Sequence, residues 1–320
     1  MGRYITRRLL QAIPLLLLLS VFMFTLVHLL PGGPEAVLIS PRMTAATRAA
    51  LRVRFGLNDP VVIQYVKWLG RVFTGDFGFS LQTFQPVTST IGAHLMPTVE
   101  LFCISFALAL VVAIIMGMLS GIRQGTVTDY TLTTLSYFGI SMPVFLFGIL
   151  AQDIFAVKLH LLPVSGTATP GVTYDAFNAL WDHALHLLLP MLVLSITFVA
   201  GWSRYVRASM IEVTSQDYMR TARAKGVSAS RLLLRHALRN ALIPLITIVA
   251  LDFGQIAGGA AVTEGIFTWP GMGSLFLDSL DARDFPVLLA MLLLAGVCVV
   301  LFNLLADVLY AVADPRIRYS

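Results

Sequence analysis

Asp252 and Gln255 interrupt an otherwise apolar run near its middle, among glycines at positions 254, 258 and 259. A carboxylate at the centre of a membrane-crossing helix costs about 2.5–3.5 kcal/mol to insert, so it is expected to face protein or a wet cavity. Residues three apart share one face of a helix, and these two side chains could therefore line a path for a solute. Alternatively, Asp252 could bond to a neighbouring helix while the glycines allow close packing. The sequence leaves both interpretations open.

Other polar groups near the apolar runs favour packing over chemistry. Asn303 and Asp307 lie close to the end of the last run, where water is easier to reach, and we interpret them as packing or capping residues. His183 and His186 have the i, i+3 spacing of one helix face, but no cysteine lies near them. No nucleophile, base and orienting group occur together. We therefore predict no catalytic, cofactor or metal site in this chain.

The stretch from Asp217 to Pro244 is strongly basic although long apolar runs flank it. Ala222 and Gly226 stand four apart, so on a helix they would share one face and let another surface approach the backbone closely. This pattern favours a docking surface. Gly226 could also simply end a helix after Lys225, because glycine is the preferred residue just beyond a helix.

The composition indicates which elements position these residues. Hydrophobic residues make up 57% of the 320 and charged residues 12%, and the mean hydropathy is +0.82, which exceeds what a soluble core needs. The apolar runs are continuous rather than short and alternating, which excludes a β-barrel and leaves helices of about 20 residues. We predict an all-α, polytopic membrane protein that forms one domain over residues 1–320. The six predicted spans are Leu9–Leu30, Pro97–Gly121, Tyr130–Val157, Ala184–Trp202, Leu242–Val262 and Pro286–Ala313.

The distribution of Lys and Arg predicts the orientation, because these residues near short loops are retained on the cytoplasmic side. Placing both termini in the cytoplasm puts most of the 22 Lys and Arg residues there, including those of segment 203–241 between the fourth and fifth spans. The long segment 31–96 after the first span then lies outside. The +5 formal charge reflects this topology rather than nucleic-acid binding.

Two glycine-containing segments on the predicted outer side could contact a partner. GDFGFS at Gly75–Ser80 lies in an aromatic-rich stretch, and its closely spaced glycines favour an ordered turn. The stretch could rest on the membrane surface or contact a partner protein. TWPGMG at Thr268–Gly273 leaves a similar choice between contact and rigid loop structure.

Several motifs occur in an order that resembles one family along almost the entire chain. They are HLLPGGP at His28–Pro34, FGLNDP at Phe55–Pro60, GDFGFS, RTARAKG at Arg220–Gly226, VTEGIFTWPGMG at Val262–Gly273 and DPRIRY at Asp314–Tyr319. The chain resembles the B-type permeases of the dipeptide and oligopeptide (peptide/nickel) branch of ABC importers, and RTARAKG resembles their EAA loop. The general EAA pattern has an acidic residue and two alanines before its glycine. Arg220 and Thr221 depart from it, which weakens any role for an acidic side chain, whereas Ala222 conforms.

The resemblance implies a transport complex. In it, a permease subunit pairs with a second permease, two cytoplasmic ATPases and an external substrate-binding protein in the bacterial inner membrane. ATP and Mg²⁺ would belong to the ATPases, and the sequence has no G-x-x-x-x-G-K-[ST] phosphate loop. The residues implied for coupling to the ATPases are Arg220, Thr221, Ala222, Lys225 and Gly226, and those for contact with the binding protein are Asp76, Phe77, Trp269 and Met272.

The function expected from the resemblance is ATP-driven uptake of peptides. Glutathione-like compounds and nickel complexes remain open as substrates. The alternative is an ion-coupled secondary transporter that uses Asp252 and Asp307 as coupling carboxylates, and a scaffold that carries no solute is a third interpretation. Only the importer requires ATPase subunits to purify with the chain.

Overall fold

The computed structural model describes residues 2–29, 44, 46 and 58–313. Within these ranges the regular structure is helical, apart from an isolated bridge between Phe79 and Pro86. The prediction of an all-α membrane protein is confirmed. The motifs HLLPGGP, FGLNDP and DPRIRY lie wholly or partly outside the described residues.

The helices are named here in chain order. They are α1 (Gly2–Leu29), α2 (Val61–Phe73), α3 (Val87–Ile122), α4 (Val127–Ser141), α5 (Val144–Lys158, its second half in π geometry), α6 (Ala176–Ser215), α7 (Asp217–Ala224), α8 (Ala229–Ala241, with π geometry in its middle), α9 (Ile243–Phe253), α10 (Ala261–Ile266), α11 (Met272–Asp281) and α12 (Phe285–Ala313). A short 3₁₀ turn, Ile256–Gly258, follows α9.

In the described part of the chain, α1, α3, α6 and α12 are each long and apolar enough to cross a membrane. Two further spans arise if each of two bent pairs counts as one. The α4–α5 pair is bent by 98°, and α8 followed by the chain through Gly258 is bent by 44°. The structure thus accommodates four to six spans.

The predicted third span, Tyr130–Val157, is not one continuous helix. It breaks after Ser141, where Met142 has an extended ψ of 125° and Pro143 precedes α5. Proline has no backbone N–H and disfavours helical geometry in the residue before it, which accounts for the break.

The predicted fifth span, Leu242–Val262, is not one continuous helix either. Helix α9 ends at Phe253, and Gly259 takes a φ of +72°. A Cβ on Gly259 would overlap the backbone of Gly273, so the two chain segments cross in direct contact and glycine is required at this point.

The chain divides into two compact units. Unit 1 comprises Met1–Thr98, Gln255–Ala261 and Pro270–Val300, and unit 2 comprises Val99–Gly254, Val262–Trp269 and Leu301–Ser320. Helices α3 and α12 contribute residues to both units. The single domain over residues 1–320 stays a prediction.

In unit 1, an apolar cluster joins α1, α2 and α12. Phe24, Trp68, Phe285 and Leu288 are buried in it. Beside it, the carboxylate of Asp284 accepts hydrogen bonds from the Ser80 hydroxyl (2.5 Å) and from the backbone N–H groups of Leu81 (3.1 Å) and Gln82 (3.4 Å). These bonds attach the turn after GDFGFS to the residue just before α12.

In unit 2, α6 contacts helices α4, α5, α7, α8 and α9. An aromatic cluster joins Phe106 of α3, Phe198 and Trp202 of α6, and Phe253 of α9, with ring centroids 4.3–5.2 Å apart. The same helix continues to Ser215, directly before α7, and therefore sets where α7 begins.

Candidate functional site

The predicted docking residues lie on α7 and in the two residues that follow it, and α7 is anchored by its inner face. The chain leaves α6 through Gln216, whose ψ of 148° separates the two helices. Met219 is buried, and the Tyr218 hydroxyl accepts a hydrogen bond of 3.1 Å from the Asn240 side-chain amide of α8. These contacts fix α7 against its own unit.

The end of α7 is a Schellman motif. The N–H of Gly226 bonds to the Arg223 carbonyl (3.0 Å) and the N–H of Val227 to the Ala222 carbonyl (3.3 Å), while Gly226 has a φ of +78°. This pair of hydrogen bonds is typical of a helix end that is followed by a residue in the left-handed conformation. Glycine adopts that conformation without the steric cost of a Cβ. The interpretation of Gly226 as a helix-ending residue therefore fits the geometry. The prediction that Ala222 and Gly226 share one helix face is wrong, because the helix ends at Ala224.

The outer face of α7 is basic and open. Arg220, Thr221, Lys225 and Gly226 are exposed, whereas Ala222 is half-buried. Apart from Gly226 and its two chain neighbours, no atom of the described residues lies within 4 Å of a Cβ placed on Gly226. The ion pair of Arg220 with Asp217 is 3.7 Å long and exposed, so it contributes little to stability. The helix thus offers a rigid, cationic surface with room for another protein.

The segment of α6 that leads to α7 is packed closely against α3. A Cβ on Gly117 would lie 2.5 Å from the Val206 Cβ, and one on Gly121 would lie 2.6 Å from the Met210 Cβ. These glycines are four residues apart, the small-residue spacing that lets two helix backbones approach. The approach to α7 is therefore held by direct helix contact.

A buried ion pair strengthens the same region. Arg207 of α6 donates from Nε to Asp129 Oδ1 (2.7 Å) and from Nη2 to Asp129 Oδ2 (2.8 Å). The Ser120 hydroxyl and the Gly125 N–H also donate to this carboxylate. Asp129 is buried. The bonds tie together α3, the turn after it, α4 and α6, and we call this set the Asp129 cluster.

Sequence reasoning missed the Asp129 cluster. Asp129 and Arg207 lie 78 positions apart, just beyond the predicted spans 130–157 and 184–202. The sequence feature that could have indicated the ion pair was an acidic residue at the end of one apolar run and an arginine at the end of another. Only the fold shows that these two ends meet.

The predicted path residues do not share a helix face. Asp252, in α9, accepts a 2.7 Å hydrogen bond from the Trp202 indole N–H of α6. Gln255 lies beyond the end of α9 and is exposed. The lack of a shared face weakens the interpretation that Asp252 and Gln255 line a path together. The structure contains the alternative, a bond from Asp252 to a neighbouring helix. A role of either residue in a path stays a prediction.

The four predicted contact residues differ in accessibility. Asp76 is exposed and accepts the Gly78 N–H (2.9 Å), and Phe77 is half-buried beside an apolar cluster. Trp269 and Met272 are fully buried. The Met272 N–H donates to the Thr98 hydroxyl at 2.7 Å. Among these four, Asp76 has the side chain best placed for a partner, whereas the buried pair supports the rigid-loop interpretation of TWPGMG.

Two family models together match nearly the whole chain. The N-terminal model for membrane components of binding-protein-dependent transport systems matches residues 1–101, and the model for their inner membrane component matches residues 109–319. The chain belongs to the inner membrane component family of binding-protein-dependent transport systems. The resemblance found in the sequence motifs is confirmed.

Relatives of this inner membrane component match it over their full lengths. It is 43% identical over 320 residues to the oligopeptide transport system permease protein AppB of Bacillus subtilis and 39% identical over 320 residues to the glutathione transport system permease protein GsiC of Salmonella paratyphi A. It is also 40% identical over 323 residues to a putative peptide permease protein of Brucella ovis. Each comparison covers 100% of both chains.

As a member of this family, the chain is a membrane-embedded, multi-pass permease component of an ABC transporter, whose ATPase activity lies in other subunits. The family does not support the alternative of an ion-coupled secondary transporter.

Proposed function

We propose that this permease subunit belongs to an ATP-driven importer for peptides. It forms the pore with a second, homologous permease, and it works with two cytoplasmic ATPases and an external substrate-binding protein. Peptides are the favoured substrate class because two of the three relatives compared above are named for oligopeptide or peptide transport, at 43% and 40% identity. Both termini lie in the cytoplasm, an orientation that the positive charges support.

The observation that carries the coupling role is the exposed face of α7. Exposed Arg220 lies on this face, and exposed Lys225 and Gly226, with open space at Gly226, follow directly after the helix. The other face of the helix is anchored. ATP and Mg²⁺ bind in the ATPases. When these close around ATP, α7 moves with them, and α6 transmits the movement because the Asp129 cluster and the Gly117–Gly121 contact hold its approach.

Substitutions at Gly226 test this coupling. Asparagine tolerates the left-handed conformation better than other side chains with a Cβ, so Gly226→Asn should largely retain ATP-dependent peptide uptake in vesicles that contain the complete transporter. Gly226→Trp should abolish uptake because its ring occupies the space where the ATPase docks, and the ATPases should no longer purify with it.

The amount of each variant in the membrane serves as the control for insertion. Normal uptake by a correctly inserted Gly226→Trp variant would contradict the docking role. Uptake that persists without ATP and follows an ion gradient would instead support a secondary transporter.

A further inference from the structure

Helix α2 presents an apolar stripe that the described residues of its unit leave exposed. Trp68 points into the cluster with α1 and α12, whereas Val62, Val66 and Phe73 are 73%, 62% and 79% exposed. At about 100° per residue these three side chains fall within an arc of about 40°. Three exposed apolar side chains on one line form a continuous apolar surface, unlike the single exposed apolar residues that are common on protein surfaces.

A third face of α2 is basic. Lys67 and Arg71 are exposed four residues apart, on neither the buried face nor the apolar stripe. Lys67 is paired with Asp59 at 2.6 Å. An apolar stripe combined with a separate basic face is the pattern of helices that lie in the interfacial layer of a membrane.

The contacts of α2 place it beside the last turns of a membrane-crossing helix. The Tyr65 hydroxyl bonds to the Ser20 hydroxyl of α1 (2.8 Å), and Gln64 bonds to the His28 ring (3.2 Å). The rings of Phe24 and Trp68 lie 5.6 Å apart. At about 1.5 Å per residue, Phe24 lies roughly 8 Å before Leu29, the last residue of α1 that the structure describes.

The neighbouring surface of α1 faces lipid if α1 spans the membrane. Its candidate span is Thr6–Leu29, and Phe22 and Leu26 on the same two turns are exposed apolar residues. On the other side, α2 contacts Phe285 and Leu288 in the first turn of α12, a second candidate span. Helix α2 therefore sits at the level where two spans end, and its stripe continues their apolar surface.

We infer that α2 is an interfacial membrane helix. Its Val62, Val66 and Phe73 stripe lies against the acyl chains of the bilayer, while Arg71 faces water and phosphate headgroups. This assigns the bilayer, and not the external binding protein, as the occupant of the stripe. The inference does not depend on which solute is transported.

Spin labels on single cysteines test this placement in the full-length chain. Both native cysteines are first replaced by alanine, and Val66→Cys, Phe73→Cys and Arg71→Cys are then labelled with a nitroxide. The chain is reconstituted in vesicles of phosphatidylethanolamine and phosphatidylglycerol. Oxygen concentrates in lipid and the nickel complex Ni(II)EDDA in water, so labels at 66 and 73 should collide more with oxygen and a label at 71 more with nickel.

Matched positions calibrate the experiment. Phe22→Cys on α1 gives the value for lipid, and Gln82→Cys in the exposed turn gives the value for water. The inference is overturned if labels at 66 and 73 match the Gln82 value. It is equally overturned if they are shielded from both reagents, since protein then covers the stripe, or if they become shielded only when the external binding protein is added.

Discussion

The hydrogen bond between Trp202 and Asp252 predicts how α9 responds to substitution. Asp252→Asn keeps an oxygen that can accept the indole N–H, so uptake and thermal stability should stay close to normal. Asp252→Leu removes that acceptor from a buried donor, which should lower the free energy of unfolding by about 1–3 kcal/mol. Thermal unfolding of the purified variants, together with uptake, provides the measurement.

The Asp252→Asn variant also separates two mechanisms. A carboxylate that carries a coupling proton cannot be replaced by an amide, because an amide does not titrate. Loss of uptake in a stable Asp252→Asn variant would therefore contradict the packing role of Asp252 and support the ion-coupled alternative.

At the residue scale, local features were predictable and distant contacts were not. The helix-ending conformation of Gly226 depends on the backbone of a few consecutive residues, so a glycine after a basic turn was sufficient to predict it. The partner of Asp252 lies 50 positions away. Sequence reasoning could state only that the carboxylate needs a partner or water.

At the element scale, the contact between α3 and α6 makes a prediction about two glycines in one helix. Gly117→Ala should destabilise the protein by about 1–3 kcal/mol, because the new methyl group overlaps Val206. In the described part of the chain, a Cβ added to Gly92 of the same helix would meet no atom within 4 Å outside the helix's own backbone and its chain neighbours. Gly92→Ala should be neutral or stabilising by up to about 1 kcal/mol, and equal thermal stability of both variants would contradict close packing.

The Asp129 cluster makes a second prediction at this scale. Removing one partner of a buried ion pair costs about 3–5 kcal/mol because the other charge is left without compensation. Because the Arg207 side chain is 29% exposed, water compensates part of its charge. We therefore expect the loss of unfolding free energy to be near the lower end of this range.

A double-mutant cycle with Asp129→Ala and Arg207→Ala tests the cluster. The double variant should lose clearly less stability than the two single losses combined. Strictly additive losses would show that the two side chains do not stabilise each other. In the complete transporter, ATP hydrolysis that continues while uptake falls would mark the loss of transmission through α6.

Prolines show why element boundaries were only partly predictable. Pro143 stands at the break between α4 and α5, but Pro14, Pro97 and Pro190 lie inside α1, α3 and α6 without ending them. Neighbouring helices and local backbone adjustments can satisfy the carbonyl groups that a proline leaves without a donor. Whether a proline ends a membrane helix therefore depends on how the helix packs against its neighbours. Hydropathy contains no information on this packing, so it does not predict these boundaries.

At the scale of the whole molecule, the proposed orientation makes a labelling prediction. In a chain without native cysteines, Gln82→Cys should react with a membrane-impermeant maleimide added to intact cells from which the outer barrier has been removed. Ala224→Cys on α7 should react only after the membrane is permeabilised. The reverse pattern would place α7 outside and contradict contact with cytoplasmic ATPases.

Hydropathy predicted the membrane class, because the cost of exposing polar backbone to lipid constrains every span in the same way. The six predicted spans are the upper limit of the four to six that the described helices allow. Hydropathy did not predict the two compact units. Their membership depends on contacts between distant segments, such as the crossing of Gly259 and Gly273, and no local property of the sequence specifies such a crossing.

The bonds around Asp284 impose an order of assembly on the nascent chain. Ser80 leaves the ribosome 204 residues before its carboxylate partner. At about 5–20 residues per second, that interval lasts roughly 10–40 s. During this time the Ser80 turn lacks its acceptor, so a chaperone or protease would meet this segment in an incomplete form until Asp284, directly before α12, has been synthesised.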